Sequence, residues 1–219
     1  MKIEMTGSAI ALVALLGGPL AAAPASAQTG ATAHRIDAAA ATLHQDMRKL
    51  WTDHVVWTRD YVIAAVDGKP DAKAAENRLM KNQDDIGAAV GKYYGASAGQ
   101  QLTTLLKEHI AQAGDVVKAA KAGDKTALQQ NSDKWEKNAV AIADFLSKAN
   151  PNNWPRATLV DMMRKHLSTT TTEVQMRLNK DWDGDVKAFD AVYDHILMMS
   201  DAVADGIVKQ FPEKFASFN

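Results

Sequence analysis

The fold is decided by residues 43–61, LHQDMRKLWTDHVVWTRDY, which have the pattern of an amphipathic helix. Bulky side chains recur there at steps of three or four residues, with a histidine among them: Met47, Leu50, Trp51, His54, Trp57, Thr58 and Tyr61. This spacing places them on one face of an α-helix. The segment therefore predicts a helix that packs against others and turns the imidazole of His54 inward.

Three later segments repeat this arrangement around His109, His166 and His195. Beyond residue 27 the prolines fall only at positions 70, 151, 155 and 212, and no segment shows sustained two-residue alternation. Because proline is disfavoured in helix interiors, the long tracts between these positions can be helical throughout. The sequence predicts an all-α fold, an antiparallel bundle of about six helices joined by short loops: 42–67, 71–93, 100–122, 124–149, 158–182 and a last helix that ends before Pro212.

The first 27 residues have the three parts of a secretory signal peptide. Lys2 gives a positive start, residues 9–16 (AIALVALL) an apolar run, and residues 25–27 (ASA) a small-residue cleavage pattern. We expect an exported protein of the periplasm or the extracellular space. Residues 28–41 are expected to be a flexible or loosely helical lead-in, and residues 42–219 a single helical domain that does not insert into a membrane.

Composition removes several classes of chemistry. The chain has no cysteine, which excludes disulfides, thiolate metal sites and cysteine nucleophiles. Its formal net charge is −1, with acidic and basic residues interspersed. Nucleic acid is therefore not an expected partner, because its recognition calls for a basic patch.

One inward histidine on each of four helices suggests a metal site in the bundle core. Neutral imidazoles suit Zn, Cu, Ni or Fe, so His54, His109, His166 and His195 are the candidate ligands. Side chains next to the ligands could orient the rings: Glu108, Asp194, Thr58 and Thr170. The alternative is that each histidine is separately satisfied by a hydrogen bond within the core.

Two variants of the metal hypothesis involve methionine. Haem b could bind between helices through His195 and Met199, or through two histidines. Four methionines near His166 and His195 could also attract copper: Met162, Met163, Met198 and Met199. Methionines on helix faces otherwise serve as core filler.

The histidine motifs occur in two similar pairs. His54-Val55-x-x-Thr58 resembles His166-Leu167-x-x-Thr170, and Glu108-His109-Ile110 resembles Asp194-His195-Ile196. An internal duplication would produce this order and place the pairs about a pseudo-twofold axis. Chance similarity between core-facing helices remains the alternative.

Local patterns give further predictions. Thr42 with Gln45, and Thr158 with Asp161, have the spacing of capping boxes at helix starts. Residues 95–99 and 183–185 are expected to be turns, and the amide- and acid-rich stretch 82–85 a solvated face.

Five stretches together resemble a group of small exported bacterial proteins without established chemistry, some of which carry an automatic "glycosyltransferase" label. They are residues 43–61, 82–87 (NQDDIG), 105–110 (LLKEHI), 150–155 (NPNNWP) and 205–215 (DGIVKQFPEKF). The resemblance covers nearly all of the chain after residue 27. It implies an uncharacterised helical protein, and a transferase activity insofar as the label holds, and it brings no catalytic residues.

These observations rank three functions. The first is an exported bundle that binds a transition metal or haem through its core histidines. The second is a non-catalytic binding or interaction module of the cell envelope, with structural histidines. The third is a transferase, which would need a pocket of converging polar groups that the sequence does not show.

Overall fold

Six α-helices and a short 3₁₀ helix make up this computed structural model, which describes the backbone of residues 27–215 and the side chains of residues 38–215. The helices are α1 (Ala27–Asp67), α2 (Ala72–Tyr94), α3 (Ala96–Ala122), α4 (Lys125–Ala149), α5 (Arg156–Leu178) and α6 (Trp182–Gln210), followed by the 3₁₀ turn Pro212–Lys214. The part of the chain described here contains no strand. The predicted all-α class is confirmed.

The helices form a closed antiparallel bundle. Each packs against its neighbour in sequence, and α6 returns to pack against α1. α1, α3 and α5 run in one direction and α2, α4 and α6 in the other. We call the end at which α1, α3 and α5 finish the upper end. Among the described residues, no helix is long and apolar enough to cross a membrane.

α1 begins earlier than predicted, because nothing in the alanine-rich segment before Thr42 stops a helix. The Thr42 hydroxyl donates to the carbonyl of Ala38, 2.9 Å away, inside the helix. The capping box predicted at Thr42 is therefore wrong. The predicted signal peptide lies outside the described residues except for its last residue, Ala27, and it stays a prediction.

Two other predicted helix starts also move. α5 begins at Arg156, directly after Pro155, so Thr158 does not cap it. α3 begins at Ala96, so most of the turn predicted at residues 95–99 is helical. At α4, by contrast, the helix begins close to its predicted start, and the Asp124 side chain caps it by accepting a hydrogen bond from the Ala127 amide at 2.9 Å.

The predicted turn at residues 183–185 is wrong as well. α6 already begins at Trp182, and Asp181 caps it by accepting from the Gly184 amide at 2.9 Å. Asp185 is buried and pairs with Arg59 of α1, whose two terminal nitrogens lie 3.0 Å from its carboxylate oxygens. Arg59 also donates to Glu173 of α5 at 2.7 Å. This buried ion cluster joins three helices near the upper end.

Two glycines bring α2 and α3 unusually close. A Cβ on Gly99 would lie 2.6 Å from the Gly87 carbonyl oxygen, and a Cβ on Gly87 would lie 2.7 Å from the Gly99 carbonyl oxygen. Only a residue without a side chain fits at such a distance from another backbone. Gly87 and Gly99 therefore serve the packing of α2 against α3.

The loop between α4 and α5 closes the lower end. Trp154 is almost fully buried and donates from its indole nitrogen to the Ala202 carbonyl at 3.0 Å. Asn150, which is fully buried, donates to the Gly206 carbonyl at 2.8 Å and to the Tyr94 hydroxyl at 3.1 Å. The loop is thus fixed to α2 and α6.

Candidate functional site

Three of the four candidate histidines meet at mid-height in the bundle. The His166 ring lies between the other two, with its centroid 5.8 Å from that of His54 and 6.0 Å from that of His109. All three residues are buried, with 3–5% of their surface exposed. Each projects from near the middle of an upward-running helix, which brings the rings to one level.

His109 is held by protein groups at both ring nitrogens. The Trp135 indole nitrogen donates to Nε2 at 3.0 Å, and Nδ1 lies 2.9 Å from the Asn138 side-chain oxygen. Because an indole can only donate, Nε2 must carry a lone pair and Nδ1 the proton. Asn138 is oriented in turn by donating to the Leu105 carbonyl at 3.1 Å. His109 is therefore a neutral ring with a fixed tautomer.

His195 also has a partner within the protein. Its Nε2 donates to the carbonyl of Met162 at 2.8 Å. Met162 lies one helical turn before His166, so His195 borders the group of three rings. The contact of His195 with α5 is made to the backbone carbonyl of Met162 and not to the ring of His166.

His54 and His166 are less fully engaged. The side-chain nitrogen of Gln83 lies 3.3 Å from His54 Nδ1, a long hydrogen bond. The Nδ1 of His166 is buried without a hydrogen-bond partner in the described structure. Two further buried atoms nearby also lack partners, the Trp51 indole nitrogen and the Gln83 side-chain oxygen. Since buried polar atoms are normally satisfied, these three indicate a place where a bound species could be accommodated.

Burial keeps the rings neutral. It lowers the pKa of His54 to about 3, with a smaller contribution from the neighbouring His109, and it lowers the pKa of His109 to about 4. The pKa of His166 falls well below its ordinary value through burial and then through His54, His109 and His195. Neutral imidazoles have the lone pairs that metal binding requires.

A small cavity of about 30 Å³ adjoins the rings. Its lining is aromatic and aliphatic apart from the three histidines, and it includes the methionines Met162, Met163 and Met199. No carboxylate is among the described residues that line it. The volume suits one ion or one or two water molecules, because a cavity needs a volume of at least about 10–15 Å³ to hold one water molecule. Cofactor pockets typically measure about 300–1,000 Å³, so a haem does not fit this cavity as it stands.

The side chains expected to orient the rings lie elsewhere. Glu108 and Asp194 are exposed to solvent. Each precedes its histidine by one position, which on a helix turns it to a different face. The Thr58 hydroxyl donates to the His54 carbonyl at 2.7 Å, and the Thr170 hydroxyl has no partner among the described residues. The predicted methionine neighbour Met198 is 49% exposed and lies outside the cavity.

Sequence reasoning missed two residues of α2. Asn82 and Gln83 are both 0% exposed, so the solvated face predicted for 82–85 is wrong at these positions. Asn82 donates to the Leu50 carbonyl at 2.9 Å, and Gln83 to the Leu79 carbonyl at 2.8 Å and towards His54. Their spacing from Leu79 and Ile86, three or four residues away, was the signal that could have placed them inside.

Among the described residues, no group of three or more histidine, aspartate or glutamate side chains is arranged to hold a metal ion by itself. Comparisons with family models, curated proteins and solved structures give no match. Fold and site define an all-α bundle with a cluster of neutral histidines and methionines in its core. Its activity has to be argued from that cluster.

Proposed function

We propose that this protein binds a single soft transition-metal ion, best Cu(I), through His54 and His166 with thioether sulfur from the cavity methionines. The observation that carries the proposal is the His166 ring, which lies between two further imidazoles and whose buried Nδ1 has no partner in the part of the chain that the structure describes. Two imidazoles bound to one ion by bonds of about 2 Å have ring centres roughly 5–6 Å apart. The 5.8 Å between His54 and His166 is in that range.

The lining of the cavity favours Cu(I) over the other candidate ions. Thioether and imidazole ligands suit Cu(I), whereas Zn, Ni and Fe in their divalent states carry twice the charge. A buried charge without a compensating carboxylate costs free energy that rises steeply with its magnitude. A cavity lined by histidine, methionine and aliphatic groups therefore accepts a monovalent ion at the lowest cost.

Roles differ among the four histidines. His54 and His166 are the proposed ligands, together with the thioethers of Met163 and Met199, the two buried methionines of the cavity lining. His109 would become a ligand only after Trp135 gave up its hydrogen bond, so we assign it a positioning role. His195 fixes the α5 backbone at Met162.

The test is anaerobic competition for Cu(I) against bicinchoninate, with untagged protein. We expect one Cu(I) per chain, and an affinity at least about tenfold lower for His166→Leu and for His54→Leu, because each loses a ligand. His44→Ala is the matched control, since that ring pairs with Asp201 and Asp205 away from the cluster. Circular dichroism verifies that each variant is folded.

Two results would overturn the proposal. One is a folded wild-type protein that takes no Cu(I) from the competitor. The other is wild-type affinity in both leucine variants, which would place any bound copper elsewhere. Met163→Leu conserves volume and isolates the thioether, so its affinity for Cu(I) should fall while its stability stays near that of the wild type.

The second candidate function is a non-catalytic binding module with structural histidines. His109 favours it, because protein groups satisfy both of its ring nitrogens. In that case a water molecule would serve His166, and the Cu(I) titration would show no binding. The transferase activity implied by the resemblance stays a prediction.

A further inference from the structure

A second, larger cavity lies directly above the histidine cluster. It encloses about 300 Å³ and is lined by five of the six helices. Thr58, Ala113 and Thr170 of its lining each lie four residues, one helical turn, beyond His54, His109 and His166. Trp135, which bonds to His109, also contributes to its wall.

The lining of this upper cavity is mainly aliphatic. It includes Val62, Leu79, Ile110, Val116, Val117, Leu128, Val174 and Leu178. No lysine, arginine, aspartate, glutamate or histidine is among the described residues around it. The same lining includes three exposed residues that form a polar rim, Thr171 and Gln175 of α5 and Asn179 directly after its end. An apolar interior with a polar rim is the usual design of a small-molecule pocket.

Thr170 gives the described lining of the cavity a buried hydroxyl that has no hydrogen-bond partner. In the run of four threonines, the hydroxyls of Thr169, Thr171 and Thr172 donate to backbone carbonyls of the preceding turn at 2.8–3.1 Å. The hydroxyl of Thr170 makes no such bond among the described residues, although only 5% of the surface of this residue is exposed. Threonine in a helix has two accessible χ1 rotamers, so the hydroxyl can turn towards a partner.

We propose that the upper cavity binds a neutral, largely apolar small molecule whose single hydroxyl or carbonyl group pairs with the Thr170 hydroxyl. An apolar cavity of about 150 Å³ takes up benzene, so twice that volume suits a two-ring compound of about ten non-hydrogen atoms. A charged ligand is disfavoured because no opposite charge lines the cavity. The site is separate from the proposed metal site, and each can fail without the other.

The probes are 2-naphthol, naphthalene and naphthalene-2-sulfonate, titrated into the full chain by calorimetry. We expect 2-naphthol to bind more tightly than naphthalene by about three- to tenfold, the usual effect of one hydrogen bond. The sulfonate should not bind. Thr170→Val should remove the preference for 2-naphthol and leave naphthalene binding unchanged, whereas Thr172→Val, on the exposed face of α5, should behave as the wild type.

Filling the cavity gives the decisive comparison. Ala113→Leu and Ala120→Leu, at partly exposed positions of the lining, should weaken both neutral probes at least about tenfold. Ala111→Leu, on the exposed side of the same helix, is the matched control. Two filling variants are used so that the test still stands if one of them does not fold. The proposal is overturned if no neutral probe binds to the wild type, or if both folded filling variants bind as the wild type does.

Discussion

The hydrogen bond at Nε2 of His109 fixes the protonation state of this ring in the histidine cluster. The Trp135 indole donates to Nε2 of His109, and Asn138 accepts from Nδ1. A proton added at Nε2 would face the indole hydrogen and would break that bond. His109 is thus neutral by hydrogen bonding as well as by burial.

Replacing Trp135 with phenylalanine tests this arrangement. The variant keeps an aromatic ring but loses the donor, so a buried lone pair is left without a partner, at a cost of about 1–3 kcal/mol in the free energy of unfolding. Trp182→Phe, at a side chain that is 51% exposed, should change it by less than about 0.5 kcal/mol. In the wild type, nitrogen NMR should find the proton of His109 on Nδ1; a proton on Nε2 would contradict the assignment.

Acid should destabilise the protein through the same rings. The folded-state pKa values of His54 and His109, about 3 and about 4, lie below the unfolded value near 6.5. Between those values the unfolded chain binds more protons, so the free energy of unfolding falls as the pH falls below about 6.5. Each such proton changes it by about 1.4 kcal/mol per pH unit. Urea denaturation between pH 7.5 and 4.5 should show the loss.

Glu173 acts in the opposite direction. Burial raises its pKa to about 7, although its bond to Arg59 works against the shift. Between pH 4.5 and about 7 the folded chain therefore binds more protons at Glu173 than the unfolded chain does. The contribution of Glu173 to the free energy of unfolding is complete below pH 4.5 and is lost as the pH rises to about 7. Glu173→Gln should make the acid loss steeper and His54→Gln should make it shallower. If both variants change the slope of the free energy of unfolding against pH in the same direction, the pKa shift assigned to Glu173 or to His54 is wrong.

At the scale of the helices, the approach of α2 and α3 depends on glycine. Gly99→Ala places a Cβ 2.6 Å from a backbone oxygen, which forces the helices apart, so we expect a loss of about 2–4 kcal/mol in the free energy of unfolding. Gly91→Ala is the control, because its Cβ would meet its nearest atom at 3.4 Å, an ordinary contact. It should be neutral or stabilising by up to about 1 kcal/mol through helix propensity. Equal losses in thermal or urea denaturation would contradict the packing argument.

The helices themselves could be predicted from sequence, and their starts less well. Hydrophobic spacing and the few prolines were sufficient for six helices in the right order. The boundaries at Thr42 and Thr158 failed because capping-box spacing also occurs within helices, where a threonine hydroxyl simply bonds to the turn before it, as Thr42 does.

The site was only partly predictable for a different reason. Helical spacing showed that His54, His109 and His166 face inward, but the partners of the rings come from other helices. Trp135 and Asn138 lie on α4, and nothing in their spacing along the sequence links them to His109. Gln83 was taken as solvated because amides usually are. Which rings touch depends on the register between helices, and that is set by contacts far apart in sequence.

At the scale of the whole molecule, the loop between α4 and α5 holds the lower end together. Trp154→Ala removes a buried indole that packs against Tyr94, at 5.4 Å between ring centroids, and leaves a cavity. We expect a loss of about 3–5 kcal/mol in the free energy of unfolding. Trp182→Ala, at the exposed tryptophan, should cost far less. Chemical denaturation measures both, and similar losses would show that the loop is dispensable.

The glycine contact between α2 and α3 also bears on how anything reaches the interior. We expect two helices whose backbones touch to move together, because sliding or separation would break many contacts at once. The polar rim of the upper cavity lies on the opposite side, along α5, and α4 supplies part of the neighbouring wall, so we expect a guest molecule to enter between α4 and α5. We therefore expect local opening of the bundle at the interface between α4 and α5, where amide hydrogen exchange should be fastest.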